Sequence, residues 1–408
     1  MKPALLFLCH RIPYPPNKGD KIRSYHLLKH LSKRYRVFLG AFIDDKNDWK
    51  YKENVDQWCE ESYFARLTPL LAKFRSLKGF ILGEPLTIHY YRDQSLDRWL
   101  RRIVDREDIQ EMLIYSSSMA QYVLDPAFAG SRRYMDFVDV DSDKWQQYAA
   151  KKAWPLSWVF HREATSLQEF EKKVANAFDA SFLVSRQEAD LFRRLVPSAA
   201  DKIAHFRNGV DVDTFDPQLS YANPYEESAA PIIVFTGAMD YWPNEDAVTW
   251  FAQEVFNTIR QKWPEAQFYI VGSRPSQKVL RLASIEGVCV TGRVPDVRPY
   301  LHHATAIVVP IHIARGIQNK ILEAMAMAKP VVVTSMGLEG IDADDGTEVL
   351  VADQADEFIE KLSWVFQGQM PTLGSKARER VCKEFSWESS LPELDKWMGK
   401  ITSPVDVS

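Results

Sequence analysis

Short apolar runs separated by longer segments of helical periodicity recur along the whole chain. In the first half "ALLFLC" (4–9), "RVFLGAF" (36–42), "MLIYSS" (112–117), "RRYMDFV" (132–138) and "ASFLVS" (180–185) read as strands. The pattern restarts with "PIIVFTG" (231–237), "QFYIVG" (267–272), "GVCVTG" (287–292), "TAIVVP" (305–310) and "PVVVT" (330–334). Strands that alternate with helices predict parallel sheets joined by crossovers, so the fold class is α/β with two doubly wound domains. Between the halves, "DTFDPQLSYANPYEESAAP" carries three prolines and no apolar periodicity, and 213–230 reads as a linker. The expected division is 1–212, then the linker, then 231–385, with 386–408 as a C-terminal helix and tail returning toward the N-terminal domain.

At 408 residues, with 46% hydrophobic and 26% charged positions, the chain has enough apolar material for two cores and too much for one. A net charge of −4 gives no basis for nucleic-acid binding. Cys9, Cys59, Cys289 and Cys382 have no paired spacing, so neither disulfides nor zinc is expected and a reducing cytoplasm fits. The N-terminal apolar run is too short for a signal peptide, and no run of 18 apolar residues occurs.

Neither half follows its first strand with G-x-G-x-x-G; the loops read "PYPPNKGD" and "GAMDYWPN", which disfavours a dinucleotide-dependent dehydrogenase. Open α/β sheets hold ligands beyond the carboxyl ends of their strands, and two such domains facing each other would form a cleft. His10 follows the first strand and could face it. Gly19, at a helix start, would let an anion approach backbone N–H groups. In "HIARGIQNKILEAMAMAKPVVVTS" (312–335), Gly316 and Gln318 stand at a helix start, Arg315 and Lys320 add positive charge, and Glu323 lies a turn deeper. A weak surface pair between Lys320 and Glu323 is the plainer alternative. A helix terminus with cations, and a carboxylate placed for sugar hydroxyls, suits a nucleoside diphosphate.

"FRNGVDVDTFDP" (206–217), "VTGRVPDVRPYLHHATAIVVP" (290–310) and "NKILEAMAMAKPVVVT" (319–334) resemble the family 4 retaining glycosyltransferases. The resemblance implies the GT-B fold, two Rossmann-like domains facing across a cleft, with the nucleotide sugar on the second domain and the acceptor on the first. "MDFVDVDSDKWQQYA" (135–149) and "ARGIQNKILEAMA" (314–326) look like the subgroup associated with exosortase (PEP-CTERM) systems, which implies a bacterial exopolysaccharide or surface glycan. The resemblance makes Glu323 the ribose ligand. It puts Arg315 where the family has the first glutamate of the pair, and it finds no Arg-Lys pair in "GAMDYWPNEDAV", so Lys320 and Arg315 are expected to hold the diphosphate. Gly237 matches the glycine that admits the diphosphate, while Asn244 reads as a helix cap. Where many members have a histidine in the first domain, this chain offers Asp136, Asp139, Asp141 and Asp143. Asp139 and Asp141 are the expected acceptor-side catalytic residues, Asp136 an acceptor contact, and Asn208 and Gly209 shape the cleft. His302 and His303 read as packing residues.

"RLTPLLAKFRSLKGFIL" (66–82) has four basic and no acidic residues among its apolar ones. It suits an anionic lipid surface, or else an amphipathic helix packed on the first domain. The reading is thus a cytoplasmic hexosyltransferase, possible at a membrane's inner face, needing no cofactor and no metal, with a nucleotide sugar as donor and a glycan or lipid-linked glycan as acceptor. A nucleotide-sugar epimerase and a non-catalytic sugar-nucleotide binder are the alternatives.

Overall fold

Valine, leucine, isoleucine and phenylalanine fill the strands in near-continuous runs, the pattern of strands covered on both faces by helices. The computed structural model describes residues 2–16, 19–150, 153–225, 230–313 and 317–400. The chain divides into two units, 1–207 together with 391–408, and 208–390.

The first unit is built on a 7-stranded sheet in the order β3-β2-β1-β4-β5-β6-β7. Its strands are β1 (Ala4–Cys9), β2 (Arg36–Ile43), β3 (Glu61–Arg66), β4 (Glu111–Tyr115), β5 (Arg132–Val138), β6 (Ala180–Leu183) and β7 (Ile203–His205). Every pair is parallel, and β1 lies between β2 and β4 with Leu5 beside Val37 and Glu111. The C-terminal helix Pro392–Lys400 belongs to this unit: Asp395 takes His30 at 3.0 Å and Arg34 at 2.5 Å, and Trp397 meets Phe182 edge-on.

The second unit carries a 6-stranded parallel sheet in the order β10-β9-β8-β11-β12-β13. Its strands are β8 (Ile232–Thr236), β9 (Gln267–Val271), β10 (Val288–Gly292), β11 (Ala306–Val309), β12 (Val331–Val333) and β13 (Leu350–Val351). Val332 and its neighbours are fully enclosed by a core that includes Phe251, Met325 and Phe358. The described part of 213–230 lies within this unit. Tyr225 is buried, donates to the Tyr300 carbonyl at 2.6 Å and packs edge-on against Tyr269. Arg378 reaches the Phe215 carbonyl at 2.8 Å.

In both sheets the crossover order reverses beside the first strand of the unit, β1 or β8. This is the place where loops leaving adjacent strand ends diverge and open a crevice.

Candidate functional site

In the second unit, the crevice is assembled around Gly237, the residue after β8. Its N–H donates to the Val271 carbonyl at 3.0 Å, and Gly272, after β9, lies so close that a Cβ would sit 1.6 Å from the Gly237 oxygen. Neither strand end tolerates a side chain there. Asn244 does not cap its helix, as the sequence suggested. It is the third residue of Trp242–Trp250, and its Nδ2 donates back to the Ala238 carbonyl at 2.9 Å. Its Oδ1 accepts from Lys320 Nζ at 2.5 Å.

Lys320 comes from the helix Asn319–Ala326 and so brings the loop after β11 against the loop after β8. Its ammonium lies 4.3 Å from the centre of the Phe235 ring. A Cβ on Gly237 would stand 3.2 Å from that ammonium and 2.7 Å from Asn244 Nδ2, so the bare backbone of Gly237 is what allows the approach. Withdrawal from water lowers the Lys320 pKa to about 7, against the opposing pull of Glu323. The same withdrawal raises Glu323 to about 7, against the pull of Lys320. An exposed surface pair would show neither shift. Both side chains keep partial exposure, so a ligand can reach them. Gln318 precedes the helix, and its carbonyl accepts from Ile321 N at 2.9 Å. Arg315 and Gly316 lie outside the described residues.

In the first unit, three adjacent strand ends bring candidate side chains together. His10 follows β1 and stacks on Tyr115, the last residue of β4, at 5.6 Å, with Tyr91 edge-on at 5.8 Å. Its Nε2 stands 3.4 Å from Asp20, and its enclosed Nδ1 has no hydrogen-bond partner among the described residues. Asp20 also takes Arg11 at 2.5 Å. Burial alone would raise the Asp20 pKa, but His10 and Arg11 hold it well below the usual carboxylate range. Gly19 is exposed and begins the helix Gly19–Ser32, so the neighbouring Asp20 carboxylate already meets the positive end of that helix.

Asp141 opens the helix Asp141–Ala150, accepts from the Ser117 hydroxyl at 3.1 Å and lies 3.8 Å from Lys144. Burial raises its pKa against the pull of Lys144, and His10 is close enough to contribute. Asp139 is paired to Lys144 at 2.6 Å. The two loops carrying these groups pass through Ser116 at φ 77° and Val138 at φ 70°, a left-handed backbone that a β-branched residue adopts only under strain.

One expected residue is corrected. Asp136 makes no acceptor contact: it is fully enclosed, and Arg23, equally enclosed, takes both of its oxygens at 2.7 and 3.1 Å. At Gly209 a Cβ would strike the backbone of Trp387 at 2.5 Å, so glycine there is required by packing. The adjoining Val210 N–H donates to the Phe385 carbonyl at 2.7 Å, so Asn208 stands at the edge of the same backbone crossing.

Sequence reasoning missed Ser117 and Lys144 and the true role of Asn244. Lys144 was legible, three residues after Asp141 on one helix face; Ser117 was one of three consecutive serines with nothing to distinguish it. Among the described residues no group of three His, Cys, Asp or Glu side chains is placed to hold a metal ion.

Residues 230–367 match the model of a family described as glycosyl transferases group 1. No curated protein matches the chain. Among solved structures, the chain is similar to sucrose-phosphate synthase from Thermosynechococcus elongatus, with a TM-score of 0.66 at 18% identity, covering 98% of this chain and 99% of that one. It is similar also to Anabaena HepE in complex with UDP, with a TM-score of 0.64 at 13% identity over 98% and 100%. A third is WaaG, a glycosyltransferase involved in lipopolysaccharide biosynthesis, with a TM-score of 0.61 at 12% identity over 97% and 100%. The family match in the second unit, and the two-domain Rossmann-like GT-B fold that the whole chain shares with these structures, together support a glycosyltransferase.

Proposed function

We propose that this chain is a retaining, metal-independent glycosyltransferase that moves a sugar from a nucleoside-diphosphate sugar to the hydroxyl of a glycan or lipid-linked glycan. Its pathway is the synthesis of a bacterial exopolysaccharide or surface glycan of the exosortase-associated type, at the cytoplasmic side of the membrane. The observation that carries this reading is the meeting of Gly237, Asn244 and Lys320 beyond β8, with Glu323 one turn deeper. A diphosphate arriving there meets a lysine poised near neutrality, and its negative charge draws a proton onto the amine. The ammonium then offsets charge on the departing diphosphate while Glu323, ionised, accepts from ribose hydroxyls. The solved structure of HepE with UDP supports this class of donor. Arg315, Gly316 and Gln318 stand next in the chain for further phosphate contacts.

On the acceptor side, Asp141 is the group whose raised pKa suits it to take a proton, with Asp139 and Lys144 holding it in place. The unpartnered His10 Nδ1 offers a bond to a sugar hydroxyl.

Calorimetric titration with UDP and with GDP, each with and without a chelator, tests the donor site. Micromolar binding of one, indifferent to the chelator, is the expected result; binding of neither overturns the assignment. Incubation with the bound donor class and no acceptor then separates transfer from epimerisation, since an epimerase converts the sugar nucleotide unaided.

A further inference from the structure

Apart from the buried Leu67 and Ala72 and the half-buried Phe80, residues 66–82 turn their apolar side chains outward. The two short helices Pro69–Ser76 and Lys78–Leu82 fully bury only small residues, Ala72 and Gly79, and a Cβ on Gly79 would lie 2.7 Å from the Glu84 carbonyl. Leu70, Leu71, Phe74, Leu77, Ile81 and Leu82 all face solvent, Phe74 at 72% and Ile81 at 86% exposure. A helix packed on the domain would show the reverse arrangement.

This segment is also held firmly. Arg75 donates to the His89 and Tyr90 carbonyls at 2.9 and 2.6 Å, and Arg162 lies over the Phe80 ring at 4.9 Å. Phe80 stacks in parallel on Trp158, which extends the apolar patch to Trp154, 80% exposed, and Leu156. Monomeric proteins rarely leave so many large apolar side chains together in water without a partner for them.

Charge decides what that partner is. Arg66, Lys73 and Lys78 are exposed within the patch, make no ion pair among the described residues, and have no acidic neighbour between 66 and 82. A second copy of the chain, meeting the same face across a two-fold axis, would bring these cations against one another. An anionic surface with an apolar interior satisfies both halves of the pattern, and tryptophans at the margin suit the headgroup level.

We propose that this face docks the first unit on an anionic lipid bilayer, with Leu71, Phe74 and Ile81 entering the acyl boundary and Arg66, Lys73 and Lys78 meeting lipid phosphates. The proposal stands whether or not the chain transfers sugar, because it requires only the lipid surface.

Flotation of the purified full chain with phosphatidylcholine vesicles, with and without phosphatidylglycerol, tests it. The chain is expected to float with the anionic vesicles, and less so at high salt. The variant Leu71→Ser/Phe74→Ser/Ile81→Ser is expected to bind at least about tenfold more weakly. Lys73→Glu/Lys78→Glu is expected to lose the preference for phosphatidylglycerol. Since all these positions are exposed, both variants should keep the wild-type unfolding midpoint. Failure of the wild-type chain to float, or equal flotation of the variants, overturns the proposal. So does a concentration-dependent dimer that the serine variant abolishes in the absence of vesicle binding, which would assign the face to a second copy.

Discussion

Lys320 and Glu323 share one turn of helix and one desolvated corner, and this makes their ionisation readable in stability as well as in catalysis. Between pH 4.5 and about 7 the folded chain keeps a proton on Glu323 that the unfolded chain has lost, so this contribution to stability fades as pH rises. Between about 7 and 10.5 the unfolded chain keeps a proton on Lys320 that the folded chain has lost, so this contribution grows as pH rises. The pair therefore contributes least near pH 7. Denaturant titrations across pH should show that minimum for the second unit, and Lys320→Met/Glu323→Gln should remove it. Lys320→Ala should lower turnover on the order of a hundredfold while UDP still binds, measured by steady-state transfer; unchanged turnover would remove Lys320 from the chemistry. The identities of these two residues were legible in the sequence because they sit on a helix directly after a strand. Their partner Asn244 was not, since a bond spanning 76 positions leaves no local trace.

At the scale of elements, ten strands were legible as apolar runs and three were not, each for a physical reason. β3 is an edge strand whose first three residues are only half covered, so "ESYFAR" lacks the continuous apolar run of its neighbours. β7 and β13 are 3 and 2 residues long and also lie at sheet edges. The outward-facing helices of 66–82 were legible in composition but not in orientation, because an apolar stripe reads the same whether it meets a core or water. The helix Asp141–Ala150, which carries Asp141, is anchored by an element far along the chain. Glu171, on the helix Leu156–Ala177, accepts from Ser142 N at 3.1 Å and from the Ser142 hydroxyl at 2.5 Å. Burial raises Glu171 to about 8, with Asp141 adding to the shift. A carboxyl raised in the folded state stabilises fully below its unfolded value of 4.5, and that contribution is lost as pH rises through about 8. In Glu171→Gln the stability of the first unit should therefore vary less between those limits, as followed by thermal unfolding at stepped pH.

For the whole molecule, the motifs that pointed to the fold lie mostly in the second unit, where the family model also matches. The expectation for the first unit rested on strand pattern and on the resemblance at 135–149, and its positions of interest lacked the histidine the resemblance implied. Each unit has its own core, so calorimetry should resolve two transitions, and UDP should raise only that of the unit containing Lys320. Deleting 391–408 should lower the other transition, because it removes the Asp395 pairs to His30 and Arg34 and the Trp397 contact on Phe182. A single unshifted transition in the truncated chain would count against the division into units.

Because the first unit is completed by residues beyond 390, the ribosome finishes it last. Residues 1–207 emerge, and then all 183 residues of 208–390, before the helix that covers Phe182 exists. During that interval the second unit can close on a contiguous stretch of chain, while the older half waits with an apolar face open. The order of synthesis and the order of completion are reversed. The nascent chain is thus most in need of a chaperone at its N-terminal half, and for as long as the C-terminal half takes to be made.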